Sequence, residues 1–481
     1  MRRAKIVATL GPAAASYEQI RALIDAGVDV CRMNLSHGNY QVHESVYANV
    51  RKAANDSGRA VAVMVDLQGP KIRLGKFEGG PYDLAVGDIF KITTEDVLGT
   101  KELSGTTFKG LPHDVHPGDF LLIDDGKVKV QVVETDGVVV TTRVIVAGPV
   151  SNNKGINLPG VAVNVPALSE KDEADLRWGL RLGADLIALS FVRSADDIVR
   201  VHEIMAEEGR RVPVIAKIEK PQAVDNLEEI VDAFDAIMVA RGDLGVELPL
   251  EAVPIVQKQA VEIARRMAKP VIVATQMLES MILSPVPTRA ETSDVANAVL
   301  DGADAVMLSG ETSVGEYPVV TVQTMARIVE STEVHGLERI GKLTNKPRTQ
   351  GGAITLAAIE VAEFVDAKFL CIFTESGDSA RRMSRLRSKI PMLAFTPEAG
   401  IRRRLALTWG IQTYLVDPVT HTDAMFGQVD DILIGQGLAQ IGDKVVVISG
   451  SPPGIVGSTN DIRVHRVGDA HNEVAPAYVK N

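Results

Sequence analysis

The sequence predicts an α/β chain: a (β/α)8 barrel interrupted by a small all-β lid domain, followed by an open α/β C-terminal domain. Three observations predict it. Eight short apolar, β-branched runs alternate with helical stretches before residue 70 and again after Pro166. Between them, residues 72–165 turn rich in Val, Thr, Gly and Asp, in short alternating runs split by turn signals. After a polar, Pro-containing linker at 336–349 the helix–strand alternation restarts. The expected divisions are 1–69 with 166–345 for the barrel, 70–165 for the lid and 346–475 for the last domain. A length of 481 residues suits a prior of roughly three domains.

Taken in order, residues 5–12, KIVATLGP, read as a strand ending in a Gly-Pro turn, and Ser16 is an N-cap for a helix reaching Ala26. Strand two is Val28–Asn34, with Arg32, Asn34 and Ser36 on one parity at its end and His37 beside them. A helix covers about 40–56, and strand three, Ala60–Leu67, runs into Asp66-Leu67-Gln68-Gly69-Pro70-Lys71-Ile72-Arg73. The insertion has runs at Phe120–Ile123, Val128–Val133 and Val138–Val146, with turns at Asp125-Gly126, Asp136-Gly137 and Gly148-Pro149, and reads as antiparallel. Ser169-Glu170-Lys171-Asp172 then caps a new helix, and strand four is Leu186–Val192. A helix at 195–208 leads to strands five and six, Val212–Ile218 and Ala236–Ala240, which flank an acidic helix at 222–233. Helix 251–267, strand Pro270–Ala274, helix 289–300, strand Ala305–Leu308 and helix 318–335 complete eight units. In the last domain, strands are expected at Phe369–Phe373, Met392–Phe395, Gln412–Val416, Lys444–Ser449 and Ile462–Val467, with helices at 353–365, 378–388, 398–408 and 422–436.

Parallel strands of this architecture keep their chemistry at their C-terminal ends. Lys217 and Glu219 are two residues apart and so point to one side, and Arg241-Gly242-Asp243 ends the next strand. One ammonium and two carboxylates therefore converge at one mouth. Glu219 with Asp243 suits a hard divalent cation such as Mg²⁺. Lys217 beside them could neutralise charge developing on a phosphoryl group or an enolate. Alone, a Lys-x-Glu pair reads as a solvated surface pair and GDLG as a tight turn; it is their coincidence on adjacent strands that points to a site. In the last domain, Thr374-Glu375-Ser376-Gly377-Asp378-Ser379 joins a strand to a helix and offers N–H groups to an anion, with the loop 451–460 placed to close over it. Ordinary Ser/Thr capping accounts for the same pattern.

Composition bounds the partners. The chain is 46% hydrophobic and 23% charged, ordinary for a soluble globular protein. A net charge of -11 argues against broad nucleic-acid binding, so any phosphate ligand needs a local basic pocket. The two cysteines, Cys31 and Cys371, lie on expected strands and read as buried thiols. The apolar run after the basic N-terminus is too short for a signal sequence, and no run of about 18 apolar residues exists, so neither secretion nor a membrane span is expected and the cytoplasm is the default.

With these residues laid out, the chain resembles the pyruvate kinase family over essentially its whole length. The matching stretches are CRMNLSHG (31–38), GPKIR (69–73), NKGINLPG (153–160), KIEKP (217–221), MVARGDLGVELP (238–249), VIVATQMLESM (271–281), PTRAETSDVANAV (287–299) and MLSGET (307–312). The resemblance implies transfer of the phosphoryl group of phosphoenolpyruvate to ADP, giving ATP and, after protonation of the enolate, pyruvate. It implies that Lys217 stabilises the phosphoryl in flight and the enolate oxygen, and that Glu219 and Asp243 hold Mg²⁺ or Mn²⁺. Gly242 and Asp243 N–H groups with the Thr275 hydroxyl match the substrate-carboxylate contacts, and Thr275 also lies near the route of proton delivery. Arg32 matches the arginine on the transferred phosphate. Asn34, Leu35, Ser36 and His37, with Arg73 and Lys154 on the lid, match the nucleotide contacts. Closure of the lid would bring Arg73 and Lys154 with it and exclude water.

One departure stands out. Many family members hold K⁺ with residues matching Asn34, Ser36, Asp66 and the carbonyl of Leu67, and carry Thr-Lys-Gly-Pro-Glu where this chain has Leu67-Gln68-Gly69-Pro70-Lys71. Lys71 would place an ammonium where those enzymes place a carboxylate, which implies activity without K⁺. In the last domain TESGDSARRMSR matches the family's effector loop, with Thr374, Ser376 and Ser379 as its hydroxyls. Asp378 stands where several bisphosphate-activated members have a basic residue, which favours a monophosphate such as AMP or a hexose monophosphate. A homotetramer is the family expectation. Two other readings stay open from the sequence: a Mg²⁺-dependent barrel lyase or aldolase acting on pyruvate-like enolates, and a non-catalytic metabolite sensor.

Overall fold

The computed structural model describes residues 2–124, 126–161, 166–344 and 346–471. Eight parallel strands close the barrel: β1 (Lys5–Leu10), β2 (Val30–Asn34), β3 (Ala62–Asp66), β4 (Leu186–Leu189), β5 (Val214–Ile218), β6 (Ala236–Ala240), β7 (Val271–Ala274) and β8 (Ala305–Leu308). They pair in sequence order and β1 pairs with β8, so no edge is left open. Alanines, methionines and branched side chains fill the interior, among them Ala62, Met64, Ala188, Ile215, Met238, Ile272, Ala274 and Met307. Residues on the opposite parity, such as Ile187, Val239 and Val273, belong to the main core shared with the helices. The interior cluster also takes in Ala406 and Leu407 of the C-terminal domain. That domain is pinned by charged groups as well: Asp304 accepts from the Trp409 N–H (3.1 Å) and pairs with Arg387 (3.1 Å), and Asp185 pairs with Arg403 (2.8 Å). Asp304 and Asp185 immediately precede their strands. The C-terminal domain therefore seals the N-terminal mouth and leaves the strand C-termini as the accessible rim.

The lid packs its own core, including Phe90, Leu121, Val130, Val140 and Ile156. Its six-stranded sheet runs Ile156–Asn157, Phe120–Ile123, Val128–Thr135, Val139–Val146, Ile89–Thr93, Leu103–Gly105. The antiparallel expectation holds except for one pair, Ile89–Thr93 with Leu103–Gly105, which is parallel. The turn residue Asp125 and the lid's last residues, 162–165, lie outside the described residues, as do Asn345 of the linker and 472–475 of the last domain. Gly69 opens the crossing to the lid. Its φ is +74°, and a Cβ there would meet the Phe191 ring at 2.4 Å, so only glycine lets the chain pass.

In the C-terminal domain the strand order is Ile411–Leu415, Met392–Thr396, Phe369–Phe373, Lys444–Gly450, Thr459–Arg466, with the last strand antiparallel. Several expected helices come out shorter. The helix at 222–233 breaks at Asn226 into Pro221–Asp225 and Leu227–Ala233, with the Asn226 side chain donating to the Arg193 carbonyl (2.9 Å). The 378–388 helix stops at Ser384, before Arg387 takes a φ of +54°. The 398–408 helix stops at Arg404 and tightens into the 3-10 turn Leu405–Leu407 that enters the barrel mouth. Arg241–Glu247, which could have been a tight turn, is a helix starting directly from β6.

Candidate active site

The rim of the barrel gathers charge around one ammonium. Lys217 near the end of β5 pairs with Glu219 (2.8 Å) and Asp66 (3.5 Å), and donates to the Ser190 hydroxyl (2.7 Å). Asp66 at the end of β3 also pairs with Arg32 from β2, at 2.6 Å, and Arg32 donates to the Thr9 hydroxyl (3.0 Å). Asp66 and Glu219 are all but fully buried, at 0% and 1% exposure. Buried charges persist only when paired, and the pairs set the directions. Burial acts to lower Lys217, but Asp66, Glu219 and Asp243 outweigh it and hold the side chain well above its ordinary value. Burial acts to raise Asp66, and Lys217 and Arg32 overcome it, so Asp66 lies below the usual carboxylate range. Glu219 moves up, from burial first and from Asp243, against Lys217. The two partners of the 2.8 Å pair thus differ: Lys217 is secured as a cation by three carboxylates, while Glu219 shares that one cation and faces a second carboxylate.

That excess of negative charge is what a divalent ion would relieve. Glu219 accepts from Lys217 and from the Phe191 N–H (2.9 Å), and Asp243 takes no side-chain hydrogen bond among the described residues. Hard oxygen donors on adjacent strands, one of them raised by the other, fit Mg²⁺ or Mn²⁺. A second oxygen of the cluster, Asp66 Oδ1, is buried without a hydrogen bond among the described residues and faces the Lys217 ammonium at 3.5 Å.

Thr275 follows β7 and faces the start of the helix Arg241–Glu247. Its hydroxyl accepts from the Gly242 N–H (2.7 Å) and donates to the Ala274 carbonyl (2.7 Å). The N-terminal N–H groups of that helix have no intrahelical acceptor, so Gly242 and Asp243 present N–H groups beside Thr275.

Other residues expected at the site lie around this cluster. Asn34 Oδ1 accepts from the Ser36 N–H (3.1 Å), the buried Leu35 donates its N–H to the Asp66 carbonyl (3.0 Å), and the His37 carbonyl contacts His43 Nε2 (2.9 Å). The Leu67 carbonyl accepts from the Ser190 hydroxyl (2.8 Å). Arg73 and Lys154 are engaged within the lid, Arg73 with the Asn153 carbonyl (2.9 Å) and Lys154 with Asp124 (3.1 Å). Lys71 is exposed and lines the cleft between lid and barrel with Asp243, Lys220 and Glu247.

The strand-end reading missed Ser190 and Phe191, although Ser190 follows β4 on the same rim and the same rule selects it. It also missed Glu247, which receives Lys220 (2.6 Å) and the lid's Asn157 (3.1 Å) and so ties lid to barrel. In the C-terminal domain Thr374 accepts from the Gly377 N–H (2.9 Å), and Ser379 bonds Thr459 (2.6 Å). Together with Ser376 they line a cavity against the loop 453–459, which also bears Glu375, Asp378 and Asp417.

Comparison with known proteins bears on the whole chain. The family model for the barrel domain of pyruvate kinase matches residues 1–322, and that for its alpha/beta domain matches residues 352–465. The chain is 58% identical to the pyruvate kinase of Corynebacterium glutamicum, over 97% of this chain and 98% of that one. It is 56% identical to that of Mycobacterium tuberculosis, over 97% and 99%. A crystal structure of a pyruvate kinase from Cryptosporidium parvum superposes with a TM-score of 0.90 at 35% identity, covering 97% of this chain and 96% of that one.

Proposed function

The chain belongs to the pyruvate kinase family and is a phosphotransferase of that family; from this premise we propose how its residues divide the work. The substrates are phosphoenolpyruvate and ADP, and the products pyruvate and ATP. The observation that carries the reading is the buried Lys217 ammonium set among Asp66, Glu219 and Ser190. Phosphoryl transfer asks a protein for positioning and charge neutralisation more than for covalent chemistry. Lys217 carries fixed positive charge to the bridging oxygen, which becomes the enolate oxygen. Arg32 moves from Asp66 toward the transferred phosphoryl group. Gly242 and Asp243 N–H groups and the Thr275 hydroxyl hold the carboxylate, and Thr275 borders the path by which the enolate is protonated. Glu219 and Asp243 hold Mg²⁺ or Mn²⁺, which when bound supplies Lewis-acid charge at the substrate oxygens. Asn34, Leu35, Ser36, His37, Arg73 and Lys154 contact the nucleotide, with Arg73 and Lys154 released from Asn153 and Asp124 as they do so.

The division into 1–69 with 166–345, 70–165 and 346–475 belongs to the same reading, as do a homotetramer and a cytoplasmic location. No described helix is long and apolar enough to cross a membrane.

Activity is proposed to be independent of K⁺. The reading rests on the sequence departure at Lys71, whose ammonium would take the place of a cation held near Asn34, Ser36, Asp66 and the Leu67 carbonyl. Pyruvate formation in K⁺- and Na⁺-free buffer with Mg²⁺ tests both the reaction and this refinement. Full turnover is expected without K⁺, and Lys71→Glu is expected to become K⁺-dependent. Activity of the unaltered enzyme only with K⁺ would discard Lys71 as a surrogate. No activity in either buffer, even with AMP and hexose phosphates present, would favour the lyase or sensor readings.

The cavity of Thr374, Ser376 and Ser379 is proposed to bind the phosphate of AMP or of a hexose monophosphate. Its carboxylates, Glu375, Asp378 and Asp417, disfavour a second phosphate. Either ligand is expected to lower the half-saturating phosphoenolpyruvate concentration and raise the melting temperature. If neither quantity moves, this cavity is not an effector site.

A further inference from the structure

Two successive residues beside the catalytic cluster sit in a backbone conformation that neither favours. Thr275 has φ +70° and Gln276 has φ +56°. For a β-branched residue such as Thr275 the left-handed region is a true outlier, and it persists only where the surroundings enforce it. The enforcing group is Arg241. Its Nη2 donates to the Thr275 carbonyl (2.7 Å) and contacts Met277 Sδ (2.8 Å), and its Nε donates to the Ala274 carbonyl (3.3 Å). Its Nη1 pairs with Asp294 on the helix Arg289–Asp301, at 2.7 Å, and contacts Gln257 (3.4 Å). The guanidinium is a rigid fork, so these five partners fix it in one orientation.

Residues 241 and 242 thus grip one turn from two sides. The Arg241 side chain holds the carbonyls on either side of the Thr275 nitrogen and α-carbon, and the Gly242 N–H holds the Thr275 hydroxyl. We infer that Arg241, anchored by Asp294, is a positioning residue that fixes the Thr275 hydroxyl where the substrate carboxylate docks. The inference rests on the proposed role of Thr275. Arg241 itself faces backbone and Asp294 and acts through the turn. Without it the two carbonyls lose their charged donor, the strained turn relaxes, and the hydroxyl leaves the Gly242 N–H.

The test is a double-mutant cycle read by pyruvate formation, using Arg241→Gln, Arg241→Lys, Asp294→Asn, Thr275→Ala and the pair R241Q/T275A. Arg241→Gln is expected to lower kcat by about 10²-fold, the scale of a misplacement of about 1 Å, with the KM for ADP unchanged. Asp294→Asn gives a smaller loss in the same parameter. Arg241→Lys recovers only part, because a point ammonium cannot span two carbonyls and a carboxylate. With Thr275→Ala already present, Arg241→Gln should add almost nothing, since groups that act as a unit are not additive. Additive losses, or a fall in kcat accompanied by an equal change in the KM for ADP, would make Arg241 merely structural. If R241Q does not fold, the Asp294→Asn and Thr275→Ala cycle decides the question by the same additivity. An unimpaired T275A enzyme would overturn the role of Thr275 and this inference together. A crippled T275A beside an unimpaired R241Q would overturn this inference alone.

Discussion

Lys217→Met is expected to abolish useful turnover, lowering kcat by at least ~10²–10³, the cost of removing one preorganised electrostatic partner of a transition state. The loss should exceed that precedent, because the side chain carries a full charge and sits among three carboxylates in a nearly dry site. Stability should fall as well. Glu219 loses its counter-ion outright, whereas Asp66 keeps Arg32 at 2.6 Å. Breaking a buried pair by deleting one partner costs about 3–5 kcal/mol in general. The upper half of that range is not expected here, since Ser190 and the Phe191 N–H remain to solvate the vacated space. A coupled pyruvate assay and a thermal melt on the same preparation separate the two effects. A variant that melts a few degrees lower and retains wild-type turnover would remove Lys217 from the chemistry. A metabolite sensor would respond to its ligand as before, so unchanged ligand response with no turnover in the parent protein would mark that alternative.

The cluster around Lys217 was legible because it obeys two short-range rules. Strand parity places Lys217 with Glu219, and parallel topology puts the ends of adjacent strands together, so Asp243 follows. Arg32 and Asp66 follow in the same way from β2 and β3, whose registers align Asn34 with Asp66. What lay hidden depends on contacts across many residues. Arg241 reads as part of a strand-ending polar cluster; that its guanidinium turns back to 274–277 and to Asp294 follows only from the helix starting at residue 241. Glu247 is invisible for a similar reason, since its partners Lys220 and Asn157 come from another strand end and from the lid. The early stop of the helix at Ser384 reflects tertiary demand overriding local pattern. Arg387 must turn to reach Asp304 and Trp409, and the chain then supplies Leu405–Leu407 to the barrel mouth. The parallel pair in the lid was missed because short alternating runs do not encode the direction of a neighbour.

Glu219→Gln should separate activity from stability in the direction opposite to most active-site substitutions. Folding raises the Glu219 carboxyl above its ordinary value, so the ionised form present near neutral pH is the one the folded state disfavours. The sign follows directly: a raised acid contributes stability only where it is protonated, and that contribution is lost as pH rises through the folded value. An amide of the same shape carries no charge at any pH. It keeps an oxygen for the Phe191 N–H and removes the repulsion with Asp243, while Lys217 retains Asp66 at 3.5 Å. The melting temperature of Glu219→Gln near neutral pH is therefore expected to equal or exceed that of the parent protein. Activity should move the other way. Changes around a metal's ligands already cost about 10–100-fold in metal affinity, and loss of a ligand should cost at least as much, so the Mg²⁺ midpoint for turnover should rise beyond that range. Asp243→Asn should shift the same midpoint without the same gain in stability, because Asp243 is less buried than Glu219. Mg²⁺ titrations of rate, paired with melts in metal-free buffer, read both quantities. An E219Q protein with an unshifted midpoint would exclude Glu219 as a metal ligand. One that melts well below the parent would show that the pair with Lys217, rather than the repulsion from Asp243, governs this carboxylate.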